Sequence, residues 1–594
     1  MADGPDGVER EQTARILKEV AERSSHILQA FGQKQFEQGL SSAVKDELGI
    51  AKAYMDMASR VLMDPSAFAA ASVNYWIDSM HLWQSAWMKM LGQESLPVAE
   101  PAKGDNRFKG EDWSGNFVFD YIKQSYLIAA RHIQHGVAGV QGLPEESQKK
   151  IAFFTRQYVD ALAPSNFAAT NPQVLRETMA SGGHNLVKGL NNLLADIEKG
   201  EGQLRISMTD EAAFQLGKNV ATTPGKVVFQ NALLQLIQYQ PSTDKVFRRP
   251  LLIIPPWINK YYILDLRPAN SFIKWAVEQG HTVFVVSWVN PDAKLAQKGF
   301  DDYLTEGALA AMDAVLKATG EDKLNVIGYC LGGTLLGTAL AWLAAKGDAR
   351  VASATFFVSL LDFSQPGELG VFIDEEQVAN LERRMNERGY LEGSEMATTF
   401  NMLRSNDLVW SFVINNYLMG KDPFPFDLLY WNSDSTRMPA RMHGFYLRNM
   451  YLKNQLGDPG AIELAGVPMD LSKVKVPAYF ISTAEDHIAP WKSTYKGSKY
   501  LGSPVRFVLG GSGHIAGIVN PPAAKKYQYW TNDALPATAE AWLEGAKQHP
   551  GSWWEDWQRW MAQQNGDDKV PARIPSKSIE DAPGSYVMQR LGKK

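Results

Sequence analysis

The sequence predicts an α/β protein with a mostly parallel, doubly wound sheet, preceded by an all-helical domain. Helical periodicity dominates the first ~200 residues, whereas short β-branched runs alternate with helix-like segments from about residue 204 onwards. Strands and helices that alternate with short links favour a parallel sheet covered on both faces. We therefore expect a helical domain at residues 1–203 and a sheet domain at residues 204–594.

The helical domain shows its period most clearly in "GGHNLVKGLNNLLADIEKG", where Leu186, Leu190 and Leu194 recur on one face. Asn171 followed by Pro172 is typical of a helix start, because Asn caps free amides and proline suits the first turn. The first ~20 residues are polar and predicted to be disordered, and they lack the apolar core of a signal peptide.

An insertion interrupts the alternation of strands and helices. Strands are predicted in "VVFQNALLQLIQY", "LLII", "TVFVVSW", "KLNVIG" and "VASATFFV". The next predicted strands come much later, in "VKVPAYFIST" and "PVRFVLGG". The intervening residues, about 365–470, are helix- and loop-like and dense in aromatic side chains. We expect this insertion to form a cap over the end of the sheet where functional sites open.

Composition excludes several functional classes. The chain of 594 residues carries a net charge of −5 and has one cysteine. No basic field points to nucleic acid. A lone cysteine allows neither an internal disulfide framework nor a cysteine-based zinc site, and it fits a reducing compartment. No His, Asp and Glu cluster has metal-ligand spacing, and no apolar stretch reaches about 18 residues, so neither a metal nor a membrane span is predicted.

The single cysteine, Cys330, lies in the frame "GYCLGG". A predicted strand precedes it and a predicted helix follows it, which is the setting of a nucleophile elbow with Cys in place of Ser. Glycines two residues to either side remove side chains that would collide at such a sharp turn, and the helix start favours a thiolate. The alternative is a buried structural cysteine. The frame favours a nucleophile and, with it, an α/β-hydrolase fold.

In that fold the elbow nucleophile is followed along the chain by an acid and then a histidine. Asp486 follows the strand in "YFISTAEDHIAP", and His514 follows the next strand in "RFVLGGSGHIAG". We expect His514 to take the thiol proton and Asp486 to hold the imidazole in the required tautomer. His487 is the rival base, but it precedes the last of these strands and adjoins Asp486.

Acyl transfer also needs hydrogen-bond donors for the developing oxyanion. The backbone N–H of Leu331, directly after the nucleophile, is one predicted donor. The second is expected in the loop "PPWINKYY" after an early strand, where the N–H of Ile258 is preferred and Asn259 is the second choice. The alternative interpretation of this loop is a rigid turn built on its two prolines.

Five segments of the chain are long and specific: "GYCLGG", "PPWINKYYILDL", "FDLLYWNSDST", "AEDHIAPW" and "SGHIAGIVNPP". Together they resemble the class I polyhydroxyalkanoate synthases, and the resemblance extends from about residue 70 to the C-terminal "GSWW". In that family the cysteine, aspartate and histidine that match Cys330, Asp486 and His514 form the catalytic triad.

The resemblance implies an enzyme that takes (R)-3-hydroxyacyl-CoA, chiefly 3-hydroxybutyryl-CoA, releases CoA, and joins acyl units into a polyester through an acyl thioester on Cys330. It implies no cofactor beyond the CoA of the substrate. It also implies a cytoplasmic homodimer on the surface of a growing polyester granule, with granule-associated proteins as further partners. Two questions stay open: whether His514 or Asp486 activates the 3-hydroxyl, and whether the polymer stays on one cysteine or passes between two.

Two rival functions share parts of this pattern. A cysteine-dependent acyl-CoA thioesterase of the same fold would have the same triad, and only the cap and the helical domain argue against it. A non-catalytic granule scaffold would have no need of an intact triad.

Two further groups of side chains have predicted roles. Arg448, in the last part of the insertion, is the first choice for a contact with the CoA phosphates. Trp553, Trp557 and Trp560 fall at helical spacing behind Ser552, a good N-cap residue. This tryptophan stripe is predicted to pack on the core of the protein rather than on a partner.

Overall fold

The computed structural model describes residues 49–202, 204–576 and 578–590. The chain divides into two compact units, one of Met1–Asp210 with Phe400–Phe424 and the other of Glu211–Thr399 with Pro425–Lys594. The boundary near residue 210 lies a few residues beyond the predicted one at 203/204. The prediction of disorder for the first ~20 residues concerns a part of the chain outside the described residues.

The first unit is built from helices, as its periodicity predicts. Asn171 caps one of them, because its side chain accepts hydrogen bonds from the amides of Gln173 and Val174, and Pro172 occupies the first turn. The longer helices are α1 Ile50–Met63, α2 Ser66–Met90, α3 Phe117–Ala138, α4 Glu145–Ala161, α5 Pro172–Ala180 and α6 His184–Lys199, and a short helix covers Asp112–Gly115.

The segment Phe400–Phe424 comes from the predicted insertion but belongs to this first unit. Its helical turns Asn406–Trp410 and Val413–Leu418 follow each other closely. The Tyr417 hydroxyl donates to Asp196 over 2.6 Å, both in the first unit. A Cβ at Gly189 would lie 1.8 Å from the Tyr417 carbonyl oxygen, so this close approach requires a glycine. The insertion at 365–470 is therefore divided between the two units, which differs from its prediction as one cap.

The second unit contains an 11-stranded sheet. Buried β-branched and aromatic side chains form its central strands, which agree with the predicted ones. The strands are β1 Gly225–Gln230, β2 Leu234–Tyr239, β3 Leu251–Ile254, β4 Val283–Trp288, β5 Leu324–Tyr329, β6 Val351–Phe357, β7 Ala478–Thr483, β8 Val505–Gly510, β9 Gln528–Thr531, β10 Lys547–Pro550 and β11 Glu580–Asp581.

The strand order is β10-β9-β8-β7-β6-β5-β3-β4-β2-β1-β11. Six neighbouring strands of this sheet are parallel, in the spatial order β4, β3, β5, β6, β7 and β8. The strands that flank this group are antiparallel. This is the mostly parallel sheet that the sequence predicts. Because parallel strands end at the same edge, the residues that follow β3, β5, β7 and β8 meet there.

Helices cover the sheet and form the part of the insertion that stays in this unit. They are α7 Phe272–Glu278, α8 Ala310–Thr319, α9 Leu331–Lys346, α10 Glu375–Arg388, α11 Gly393–Leu403 (which crosses into the first unit), α12 Asp427–Asn432, α13 Ala440–Tyr446, α14 Trp491–Ser498, α15 Ala539–Glu544 and α16 Trp554–Asn565. Along the described stretches of the chain, no helix combines the length and the apolar character needed to cross a bilayer.

The tryptophan stripe packs on the core, as predicted. Trp553, Trp557 and Trp560 are all buried. The indole N–H of Trp557 donates to Thr355 of β6 over 3.1 Å. The prediction of Ser552 as the N-cap is wrong by one residue, because Trp553 occupies that position. Ser552 still accepts from the amide of Trp554, the first residue of α16, over 3.1 Å.

Candidate active site

Cys330 occupies a strained turn between β5 and α9. Its φ of 52° and ψ of −117° lie outside the regions that non-glycine residues ordinarily adopt. Helix α9 begins at Leu331, the very next residue, so the sulfur lies at the end of a helix where backbone amides are free. The thiol is partly exposed, which leaves it open to a substrate.

The glycines beside Cys330 are required by space. A Cβ at Gly328 would lie 2.4 Å from the Cα of Gly333, and a Cβ at Gly332 would lie 2.0 Å from the Ile254 carbonyl oxygen. Both distances are far below van der Waals contact. The elbow therefore packs directly on the end of β3, which leads into the predicted oxyanion loop.

Asp486 and His514 form a buried pair at the ends of β7 and β8. The Nδ1 atom of His514 lies 2.7 Å from Oδ2 of Asp486. The other carboxylate oxygen, Oδ1, accepts the backbone amides of Ile488 and Ala489 at 2.9 and 2.8 Å. These two amides fix the carboxylate, and the carboxylate in turn fixes the orientation of the imidazole.

His514 also interacts with the side chain of Cys330, so the three predicted catalytic residues lie together. Burial alone would lower the pKa of His514, but the charges of Asp486 and Cys330 and the interactions with both side chains raise it to about 10. The raised pKa means that the imidazole holds firmly a proton that it takes from a neighbouring thiol. The ring of Tyr329 stacks on His514 with centroids 6.0 Å apart and limits the movement of the imidazole.

The loop that carries Ile258 is held by the segment 431–436, which belongs to the motif "FDLLYWNSDST". The Thr436 hydroxyl donates to the Trp257 carbonyl over 2.5 Å, and the Thr436 amide donates to the Ile258 carbonyl over 3.3 Å. The indole N–H of Trp431 donates to the Lys260 carbonyl over 2.7 Å. The loop is thus fixed on its carbonyl side, and the roles predicted for the Ile258 and Leu331 amides stay predictions.

Two tyrosines that the sequence analysis did not single out lie near the nucleophile. Tyr446 ends α13, and Tyr451 follows it five residues later. Burial raises the pKa of both phenols well above the usual range, and the charge of Cys330 adds to the effect. Both hydroxyls are therefore neutral. Only their place in the aromatic-rich end of the insertion hinted at this position.

Arg448 lies in a setting that the sequence did not reveal. Its guanidinium pairs with Glu382 at 2.7 Å and with Glu375 at 2.5 Å. A CoA phosphate would have to compete with both carboxylates. The predicted phosphate contact stays a prediction, and this geometry gives it no support.

The fold and the site together define an α/β-hydrolase-type protein with cysteine in the position of the nucleophile. Among the residues that the structure describes, no group of three or more His, Cys, Asp or Glu side chains could hold a metal ion.

Comparison with known proteins gives a family. A family model described as "Poly-beta-hydroxybutyrate polymerase (PhaC) N-terminus" matches residues 104–276, and one described as "alpha/beta hydrolase fold" matches residues 249–521. The second match contains Cys330, Asp486 and His514 and agrees with the observed sheet.

Three relatives cover nearly all of the chain. The "Poly(3-hydroxyalkanoate) polymerase subunit PhaC" of Rhizobium meliloti is 51% identical over 532 residues, which cover 89% of this chain and 87% of the relative. The "Poly(3-hydroxyalkanoate) polymerase" of Methylorubrum extorquens is 47% identical over 98% of this chain and 96% of its own. The PhaC subunit of Cupriavidus necator is 44% identical over 90% of each. The chain belongs to the poly(3-hydroxyalkanoate) polymerase family, which confirms the resemblance drawn from the five segments.

Proposed function

We propose that this protein joins (R)-3-hydroxyacyl units from CoA thioesters into a polyhydroxyalkanoate, with release of CoA, through an acyl thioester on Cys330. The observation that carries the proposal is the hydrogen-bonded pair of His514 and Asp486 beside Cys330 at an elbow, in a member of this polymerase family. The reaction is an acyl transfer, and each step uses side chains of this chain and the CoA that the substrate carries.

The first step is acylation of the cysteine. His514 takes the thiol proton, and the sulfur of Cys330 attacks the carbonyl carbon of the CoA thioester. The negative charge on the carbonyl oxygen is stabilised by the amides of Leu331 and Ile258. The bond to CoA then breaks, and the leaving CoA thiolate takes the proton from His514, so that protons and charges balance.

A sulfur nucleophile suits this transfer better than an oxygen nucleophile. Transfer from CoA to Cys330 exchanges one thioester for another, so the acyl group stays activated. A serine in the same place would form an oxoester, which has the energy of the finished polymer linkage and leaves little drive for extension.

The second step is attack of a 3-hydroxyl group on the acyl thioester of Cys330, which forms the ester bond and frees the thiol. We infer that His514 removes the hydroxyl proton. Both oxygens of Asp486 already accept hydrogen bonds, Oδ1 from Ile488 and Ala489 and Oδ2 from His514. A carboxylate so occupied has little capacity left for a substrate hydroxyl.

Exclusion of water separates a polymerase from a thioesterase of the same fold. Tyr446, which is 5% exposed, and Tyr451 lie near Cys330 on the insertion side. Their rings occupy space beside the thioester that water would otherwise fill. This supports polymerisation over hydrolysis.

The direct test is a product analysis with 3-hydroxybutyryl-CoA. The purified protein is expected to release CoA and to form insoluble polyester, with free acid as a minor product. Cys330→Ala should abolish CoA release, and Cys330→Ser should reduce it by about 10³-fold or more. Free acid as the main product would favour the thioesterase. CoA release absent from the wild type would favour the scaffold.

We also propose that the protein works as a homodimer at the surface of the cytoplasmic granule that its product forms, in contact with granule-associated proteins. Support comes from helix α2, on which Trp76, Met80 and Trp83 are 67, 64 and 61% exposed. An apolar face of this kind favours an apolar surface or partner. Sedimentation with purified polyester granules tests it, since Trp76→Ser with Trp83→Ser should weaken binding.

A further inference from the structure

Lys260, two residues after Ile258, is a buried cation with an unusual set of partners. Its ammonium lies 3.0 Å from Oδ1 of Asp434, and the side chains are only 3 and 1% exposed. The same ammonium donates to the carbonyls of Val587 and Gln589 at 2.7 and 2.6 Å. The ammonium thus donates two hydrogen bonds to backbone carbonyls and forms an ion pair with Asp434.

The C-terminal residues 586–590, here called the C-terminal segment, close over this cluster. Arg590 lies over the ring of Tyr430 at 4.1 Å and 3.5 Å from Oδ2 of Asp434. The hydroxyl of Tyr262 donates to the same oxygen over 3.0 Å. Asp434 is therefore shared by two cations and a phenol, and it links the loop that carries Ile258 to the C-terminal segment.

The residues 257–260, here called the oxyanion loop, are held by apolar packing and by polar contacts. Trp257 is buried against the rings of Trp288, Phe300, Tyr303 and Tyr446. Their carbonyls accept from Thr436 and Trp431, and their only charged side chain is Lys260. The hydrogen bonds to the loop carbonyls come from the segment 431–436, and the ammonium of Lys260 contacts both this segment and the C-terminal segment. Both elements are distant in sequence, and neither includes a residue of the triad.

We propose that the C-terminal segment and Asp434 act through Lys260 as a clamp that positions the Ile258 amide for the oxyanion. Lys260, Asp434 and Trp431 are then positioning residues, because each would act through the loop. This inference rests on the proposed function, since it requires an oxyanion to form during acyl transfer.

If these residues act as a clamp, their loss should slow CoA release and leave the reactivity of the Cys330 thiol unchanged. A purely structural role predicts no such difference. Oxyanion stabilisation depends on donor position, and a displacement of ~1 Å can lower a rate by about 10²-fold. Alkylation of Cys330 by iodoacetamide also needs the activated thiol but forms no oxyanion. Because the chain has one cysteine, alkylation reports on that thiol alone.

The experiment compares CoA release from 3-hydroxybutyryl-CoA with alkylation by iodoacetamide in the full-length protein. The variants are Lys260→Met, Trp431→Phe and a deletion of residues 587–594. Lys274→Met is the control, since the ion pair of Lys274 is with Glu278 on its own helix. We expect kcat to fall about 10- to 100-fold in Lys260→Met and the deletion, with KM changed less than about 3-fold. Alkylation should change by less than about 2-fold, because the thiol and His514 are untouched.

In the variant that combines Lys260→Met with the deletion, kcat should lie within about 3-fold of the kcat of the slower single variant, because both changes disrupt the same clamp. Parallel loss of CoA release and alkylation would overturn the proposal, as would unchanged CoA release. Should the deletion fail to fold, Trp431→Phe removes a single hydrogen bond and is expected to lower kcat by about 3- to 10-fold. Failure of the proposed function itself is recognised separately, as wild-type protein that releases no CoA.

Discussion

The carboxylate of Asp486 divides its two oxygens between the imidazole of His514 and the peptide backbone. Oδ2 lies 2.7 Å from Nδ1 of His514, while Oδ1 accepts the amides of Ile488 and Ala489. This arrangement leaves the second ring nitrogen of His514 for Cys330, whose side chain interacts with the ring. The site is therefore set up for proton transfer between sulfur and nitrogen, with Asp486 as the fixed partner.

Replacing Asp486 by asparagine should lower CoA release by about 10² to 10⁴-fold. The amide keeps the shape of the carboxylate but loses its charge, which lowers the pKa of His514 and removes the preference for the required tautomer. The initial rate of CoA release from 3-hydroxybutyryl-CoA measures the effect. Glu485→Gln is the matched control, since Glu485 is the exposed neighbour in sequence and should change the rate less than about 2-fold. Equal effects of the two changes would contradict the assignment of Asp486.

The stability that the triad contributes should decline in alkaline solution. The pKa of His514 is raised from 6.5 to about 10, chiefly by Asp486 and Cys330 acting against burial. The folded protein therefore binds the proton more tightly than the unfolded chain, so the contribution is fully present below pH 6.5 and is lost as the pH rises towards 10. The melting temperatures of wild type and His514→Gln should converge between pH 7 and 10. If the difference between the two melting temperatures grew with pH instead, the predicted direction of the pH dependence would be wrong.

His443 should have the opposite pH dependence. It is 3% exposed on α13, and neither ring nitrogen has a hydrogen-bond partner among the described residues. Burial lowers its pKa to about 4. The unfolded chain therefore takes up a proton first as the pH falls below 6.5, and stability is lost towards pH 4.

For this reason His443→Leu should raise the melting temperature by about 2 to 4 °C at pH 7.5, because no unpaired polar atom stays buried. The gain should be larger at pH 5. Scanning calorimetry at both values measures it, with His135→Gln, at an exposed histidine, as the control. A gain that does not depend on pH would show that titration of His443 plays no part.

Tyr446 should limit hydrolysis of the acyl thioester. Tyr446→Ala opens a space beside Cys330 that water can enter, so the ratio of free 3-hydroxybutyrate to polyester should rise about 5-fold or more. Tyr446→Phe keeps the ring and should leave the ratio within about 2-fold of wild type. Chromatography of the soluble and insoluble products gives the ratio. An unchanged ratio in the alanine variant would remove the role proposed for this ring.

The sequence was sufficient to predict the elbow and the positions of the triad, because local pattern and strand order determine both. Glycines at a sharp turn fix the elbow of Cys330, and the order of strands β5, β7 and β8 brings Asp486 and His514 to the same edge of the sheet. Parallel strands made these positions predictable, because their carboxyl ends coincide.

Contacts between distant segments were not predictable in this way. Arg448 looked like a free cation, but it pairs with Glu382, 66 residues earlier in the chain. Backbone carbonyls such as those of Val587 and Gln589 have no signature in the sequence, so their hold on Lys260 appears only in the structure. The same holds for residues 400–424, whose place in the first unit depends on contacts with helix α6 rather than on their own composition.

The most direct test of the central claim is the mass of the protein after brief exposure to 3-hydroxybutyryl-CoA. We expect hydroxybutyryl units on the peptide that contains Cys330, formed in step with the first release of CoA and removed by neutral hydroxylamine, which cleaves thioesters. The adduct should be absent from Cys330→Ala. CoA release without an adduct on Cys330, or an adduct that persists in Cys330→Ala, would contradict the account.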